Sequence, residues 1–118
     1  MRHILSTIVT IILILTHTSA FSAEVYEYNK TVTLKGKLLS KKRRHFLKLD
    51  SPIHLEKDPK DEISEEAANV EEMQLVIDYN KIKPKALVGK SVEVTGSMFY
   101  HHTAHHLTKV LVTVDSIK

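Results

Sequence analysis

Four histidines stand within six consecutive positions, His101, His102, His105 and His106, with Thr103 and Ala104 between the two pairs. Imidazole is the commonest metal ligand, so the cluster is a candidate metal site, and zinc or copper is the cofactor it would take. Spacing decides what it can do. In an extended segment His101 and His105 share a face but lie about 13 Å apart at roughly 3.3 Å per residue, too far for one ion. A tight hairpin at Thr103-Ala104 would set His102 opposite His105 and His101 opposite His106 at roughly 5 Å, close enough to chelate. Thr-Ala is poor chemistry for such a turn, which wants Asn, Asp or Gly, and a longer loop fits better. A helical turn would bring His101 near His105 and His102 near His106, against the strand character of the flanks. The chain has no Cys, so a metal would need these rings with a carboxylate from the acidic segment. Surface or structural histidines are the plainer reading. His45 and His54 are isolated and read as half-buried strand residues.

A second constellation is basic. Residues 35–48 hold seven Lys and Arg and no acid, culminating in Lys41, Lys42, Arg43 and Arg44. Residues 56–72 hold eight acids against Lys57 and Lys60. Such blocks are commonly solvated faces; the functional alternative is a dipolar surface that steers a charged partner. Catalytic signatures are missing. The chain contains no Cys, no G-x-S-x-G, no phosphate-cradling Gly loop and no H-E-x-x-H, and the paired carboxylates Glu65-Glu66 and Glu71-Glu72 lie in a stretch that reads as solvated. No enzyme is expected.

The elements that must position these residues follow a leader. Met1-Arg2-His3 is a short basic start, residues 4–15 are apolar but for Ser6, Thr7 and Thr10, and small residues follow at Thr18, Ser19 and Ala20. That order is a secretory signal peptide over residues 1–20, its apolar run shorter than the roughly 20 residues that span a bilayer. Cleavage after Ala20 fits best, with Ser22 and Ala23 as later options. The remainder, 21–118, is expected to be one domain. Arg2 is the one Lys or Arg in the leader, so 17 basic residues become 16 against 14 acids, a net charge of +2 with His neutral. A cysteine-free domain of this size must be stabilised by sheet pairing and packing.

The chain reads as strands. Residues 31–38 alternate, with Val32, Leu34 and Leu38 on one face interrupted by Gly36. Residues 45–49 form a second strand, broken at Ser51-Pro52 and resuming at 53–55. Residues 73–79 form a third. Between them Asp58-Pro59 and Asn69 are turn chemistry, and residues 64–68 could wind one helical turn. Pro84 and Gly89 bracket a short helix. Residues 91–100 repeat the first strand's pattern, with Gly96 in the place of Gly36, and residues 109–117 supply the fifth strand. Gly within a strand marks a bulge or barrel corner. These are the parts of a mainly β fold, a five-stranded OB-like Greek-key barrel with one short helix between strands three and four. A plain sandwich or open meander has the same strand count.

The run Leu87-Val88-Gly89-Lys90-Ser91-Val92-Glu93-Val94-Thr95-Gly96-Ser97-Met98-Phe99, followed by Thr103-Ala104-His105-His106-Leu107-Thr108-Lys109-Val110-Leu111, resembles an uncharacterised family of small exported bacterial domains of unknown function. Its members carry a V-T-G-T-L-F strand, a T-G-H-H-H-T-P loop and an acidic segment before a V-Q-L strand, similar here to residues 69–75. Ala104, Leu107 and Lys109 replace that loop's Gly, third His and Pro, so its histidine positions carry over to His105 and His106. The resemblance implies an OB-like fold, an exported location and a Gram-negative source, and no reaction.

The basic turn falls between the first two strands, where OB-folds bind oligonucleotides and oligosaccharides. The signal peptide argues against nucleic acid. Phe46, Phe99 and Tyr100 could floor a ligand site, although core is the commoner role in so small a barrel. The expectation is a periplasmic or secreted, monomeric, non-catalytic binding module with no membrane anchor after cleavage. It would recognise a protein or an anionic envelope component through the basic loop Lys41, Lys42, Arg43 and Arg44, the acidic loop, or both. The alternative is a zinc- or copper-binding protein using His101, His102, His105 and His106.

Overall fold

The computed structural model describes residues 23–118; the signal peptide expected over residues 1–20 lies outside the described residues. Six strands follow in order: β1 (Glu24–Glu27), β2 (Thr31–Lys41), β3 (Arg44–Glu56), β4 (Ala67–Val76), β5 (Ser91–Tyr100) and β6 (Val110–Ile117). Alternation drives them. Along β2, Leu34 and Leu38 are buried while Lys35 and Lys37 are exposed, and β5 buries Val92, Val94 and Met98 in the same rhythm.

Five strands close on themselves. β2 pairs antiparallel with β3 and β5, β3 with β4, and β5 with β6. A three-residue parallel seam between β4 and β6, from Gln74↔Leu111 to Val76↔Thr113, completes the ring. The result is a mainly β, closed five-stranded barrel. β1 is an extra strand, parallel to the end of β3 through Glu24↔Ile53 to Glu27↔Glu56. The interior is filled by Leu38, Leu47, Leu55, Met73, Val94, Met98 and Val112, each 0% exposed. A fully buried side chain of this kind contributes roughly 1.5–3 kcal/mol.

The glycines allow the strands to bend inward. A Cβ on Gly36 would overlap the Lys48 carbonyl, and one on Gly96 the Thr113 carbonyl. At Gly96 the β5–β6 register also shifts, Thr95↔Ser116 giving way to Gly96↔Val114.

Several expectations need correction. The helix expected between the third and fourth strands is a single 3-10 turn, Pro84–Leu87, with Pro84 opening it and Gly89 at φ 85° beyond it. The chain there is tied to β2, Gly89 N–H donating to Leu38 O at 2.7 Å and Leu38 N–H to Lys90 O at 3.0 Å, which leaves length for one turn. β3 runs through Ser51-Pro52 unbroken because its pairing to β4 lapses between Lys48 and Ile53, so the missing proline N–H forfeits no ladder bond there. The expected helical turn at 64–68 is absent. Ser64 is buried and its hydroxyl accepts from Asp58 N–H at 3.0 Å, drawing the acidic loop around itself. β4 then begins at Ala67, well inside the acidic stretch, with Asn69 at φ 55° in a bulge where three β4 steps match two on β3.

Candidate functional site

The basic residues form the tightest turn of the barrel. Lys41 pairs with Arg44 across the β2–β3 hairpin, leaving Lys42 and Arg43 as a two-residue turn at φ 49° and 68°. Such turns favour Asn-Gly. A side chain held in left-handed conformation costs about 1–2 kcal/mol per residue, and strain of this kind clusters at functional sites. The four side chains then divide. Lys41 Nζ grips both carboxylate oxygens of Glu72 at 3.0 and 2.9 Å and lies 5.2 Å from the centre of the Phe46 ring. Arg44 Nη1 donates to the carbonyl of His105 at 2.7 Å. Lys42 and Arg43 are exposed, and among the described residues their side chains make no hydrogen bond or ion pair.

The histidine loop, residues 101–109, lies over the outside of the barrel. Across β3, β4, β6 and β5 the register aligns Phe46, Gln74, Leu111 and Phe99 in one row. Phe46 at 4% and Leu111 at 0% exposure are buried although both lie outside the central core cluster. Gln74 straps the loop down: its Oε1 accepts from Leu107 N–H at 2.7 Å, and its own N–H donates to Thr108 Oγ1 at 3.0 Å. Thr108 Oγ1 donates a hydrogen bond to Val110 O at 2.6 Å, and His101 N–H donates to Lys109 O at 2.8 Å to close the loop's base.

The histidines do not converge. His102 and His106 rings stand edge to face at 4.8 Å, both against Phe99 at 5.8 and 5.3 Å. His101 packs on Tyr100 at 4.7 Å, and His105 is exposed. One turn, closed by His106 N–H to Thr103 O at 3.2 Å, produces the 102–106 pairing. That is the helical-turn spacing that the flanking strands argued against. His102 N–H donates to His106 Nδ1 at 3.2 Å, an arrangement that favours the neutral ring. Burial, then the neighbouring His102, His101 and His105, push the His106 pKa down. Among the described residues no group of three or more His, Asp or Glu is placed to hold a metal ion.

His45 and His54 are half-buried on β3 as their isolation suggests. His45 Nδ1 meets the Tyr79 hydroxyl at 2.9 Å with its pKa lowered by burial, and His54 Nε2 lies 3.4 Å from Glu66. Tyr28, buried with its hydroxyl donating to Glu65 O at 2.7 Å, has its pKa raised to about 12 by burial and the nearby Tyr100 and Glu65. Tyr100 reaches the Glu65 carboxylate at 3.4 Å, so the acidic loop packs beside the base of the histidine loop.

The two constellations singled out in the sequence therefore meet at one surface, joined by Arg44 and His105. Gln74 and Thr108, which hold that surface together, were not anticipated. Gln74's one signal was a polar side chain inside the apolar run Met73-Gln74-Leu75.

The protein is thus a small closed β-barrel whose basic hairpin and histidine-rich loop are strapped together on its outer surface. Residues 72–118, covering β5, β6, the histidine loop and the second half of β4, match the family described as Domain of unknown function (DUF4431). This is an uncharacterised domain family, as the resemblance implies. No curated protein matches the chain.

Proposed function

We propose that the protein is an exported, non-catalytic binding module of OB-like type that recognises a protein or an anionic envelope component. The observation that carries this reading is the Arg44–His105 hydrogen bond of 2.7 Å, which unites the basic hairpin and the histidine loop in one surface. The strand order round the barrel, β2-β3-β4-β6-β5 and back to β2, supports the OB-like reading: a three-strand meander followed by two strands in exchanged order. In OB-folds the loop between the first two barrel strands and the loop between the last two flank the binding face, and here those are the basic hairpin and the histidine loop. The basic, apolar, small-residue order of positions 1–20 supports export to the periplasm or beyond. No helix among the described residues is long and apolar enough to cross a membrane. The domain is read as a monomer that binds no nucleic acid.

The experiment is capture of envelope fractions on the immobilised protein, with Lys42→Gln/Arg43→Gln as the control. Among the described residues these two side chains make no hydrogen bond or ion pair, whereas Lys41 and Arg44 also hold structure together. A component lost at high salt and with the variant supports the reading; one retained by the variant removes the hairpin from it.

Metal capture by His101, His102, His105 and His106 is the second reading, favoured by the 4.8 Å approach of the His102 and His106 rings. Opposing it, a His106 ring that accepts at Nδ1 carries its proton on Nε2, so neither nitrogen offers a lone pair until that bond breaks. Zinc and copper titration of the protein beside a variant with all four histidines changed to Ala separates the two: saturable micromolar binding lost in the variant would favour metal.

A further inference from the structure

Alternation along β2 and β3 decides which side chains leave the barrel. Leu34, Leu38, Leu47 and Leu49 are buried, so Lys35, Lys37 and Lys41 of β2 and Arg44 and Lys48 of β3 stand on the outer face. The register sets Lys37 directly opposite Lys48 and Lys41 opposite Arg44, with Leu39 opposite Phe46 between them. Like charges placed directly opposite are destabilising. Neighbouring acids relieve part of this. Glu93 lies 3.8 Å from Lys35, and Glu72, which flanks Lys48, is held by Lys41 at 2.9 Å. Lys37 has only Ser91 on its other side. With Lys42 and Arg43 at the tip, seven cations share this face with three carboxylates, Glu72, Glu93 and Asp50, the last of them two residues beyond Lys48 along β3. From Lys37 to the tip it runs about 17 Å at roughly 3.3 Å per residue.

We propose that the outer face of the β2–β3 ribbon binds a linear acidic polysaccharide, a chain bearing a carboxylate or sulfate on successive sugars, laid along the strands. This rests on the binding-module reading and names the ligand class. Charge complementarity fixes the sign of the ligand, and the length of the row fixes its shape, because cations spread along two strands suit a chain of anions better than one compact anion. The one aromatic side chain on this outer face narrows the class. Phe46 is 4% exposed and has Lys41 Nζ over its ring, so the face has no platform on which a base could stack, as single-stranded nucleic acid requires. Leu39, half-buried, is its other apolar side chain, too little for insertion into a bilayer surface.

The test is calorimetry of the protein with polygalacturonate, a linear uronate polymer, beside trigalacturonate, a thymidine oligonucleotide and phosphatidylserine vesicles. The polymer is expected to bind saturably, more tightly than the trimer, and less tightly as salt rises. Lys37→Gln/Lys48→Gln should weaken it about thirtyfold while leaving the thermal midpoint no lower than wild type, since a like-charge pair is removed. Polymer binding no tighter than the trimer's, unchanged in that variant, or exceeded by the oligonucleotide or the vesicles overturns the proposal. Lys42→Gln/Arg43→Gln keeps the two readings apart: if it abolishes capture of an envelope component while the polymer never binds, the binding module stands and the polysaccharide falls.

Discussion

The guanidinium of Arg44 donates a 2.7 Å hydrogen bond to the main-chain carbonyl of His105, across 61 residues of sequence. It makes the basic hairpin a brace for the histidine loop. Arg44→Gln should therefore destabilise the barrel by about 1 kcal/mol and quicken amide exchange at residues 105 and 106. Leu107, whose N–H is held independently by Gln74, should keep its protection. Hydrogen exchange read residue by residue checks this; equal loosening at Leu107 would show that the brace and the strap are one unit.

The turn at Lys42 and Arg43 sacrifices stability. Lys42→Asn/Arg43→Gly matches the left-handed conformation at both positions and should stabilise by about 1–2 kcal/mol, visible as a raised thermal midpoint. The same exchange removes two exposed cations, so partner binding should fall as stability rises. A variant that gains stability and keeps its partner would leave the hairpin without a binding role.

Gly36 and Gly96 lie where neighbouring strands come too close for any Cβ. Gly36→Ala and Gly96→Ala are each expected to destabilise by about 3 kcal/mol or more, because the obstacle is main-chain carbonyl and cannot rotate away. Urea unfolding measures both. Gly89→Ala meets no atom and strains only its φ of 85°, and should cost about 1 kcal/mol.

His106 makes stability depend on pH. Its folded pKa lies below the ordinary 6.5, so between those two values the unfolded chain takes a proton that the folded loop refuses. Stability is full above about pH 6.5 and declines as pH falls toward the lowered folded value. His45, lowered by burial, adds to the same trend. Urea midpoints at about pH 7.5 and about pH 5.5 should differ in that sense. His106→Gln, whose side-chain oxygen can still accept from His102 N–H, should flatten part of the slope. An unchanged slope would mean that burial and the neighbouring histidines do not depress the His106 pKa in solution.

Much of the barrel was legible because alternation is a local property. Val92, Val94 and Met98 declare their inward face within one strand, and Gly36 and Gly96 mark the corners by interrupting it. β1 was missed because its four residues, Glu24–Glu27, acquire strand geometry only by pairing with β3. The acidic stretch was legible in part: most of its acids are solvated, as the charge suggested, but nothing local showed that Ser64 turns inward or that β4 begins at Ala67. The site was legible as two clusters and not as one surface. No spacing rule connects Arg44 to His105 or Gln74 to Leu107; only the parallel β4–β6 seam, which lays Gln74 beside Leu111, brings them within reach.

That seam has a temporal consequence. β6 is the last strand, and it alone supplies partners to both β4 and β5, with Lys118 exchanging two main-chain hydrogen bonds with Glu93 at 2.9 and 3.0 Å. A chain delivered amino terminus first, whether from a ribosome or through a translocation pore, holds an open sheet until the eight residues of β6 arrive. The ring and the surface strapped onto it then form together, so a molecule cut short of β6 would present hairpins with bare edges and no candidate site.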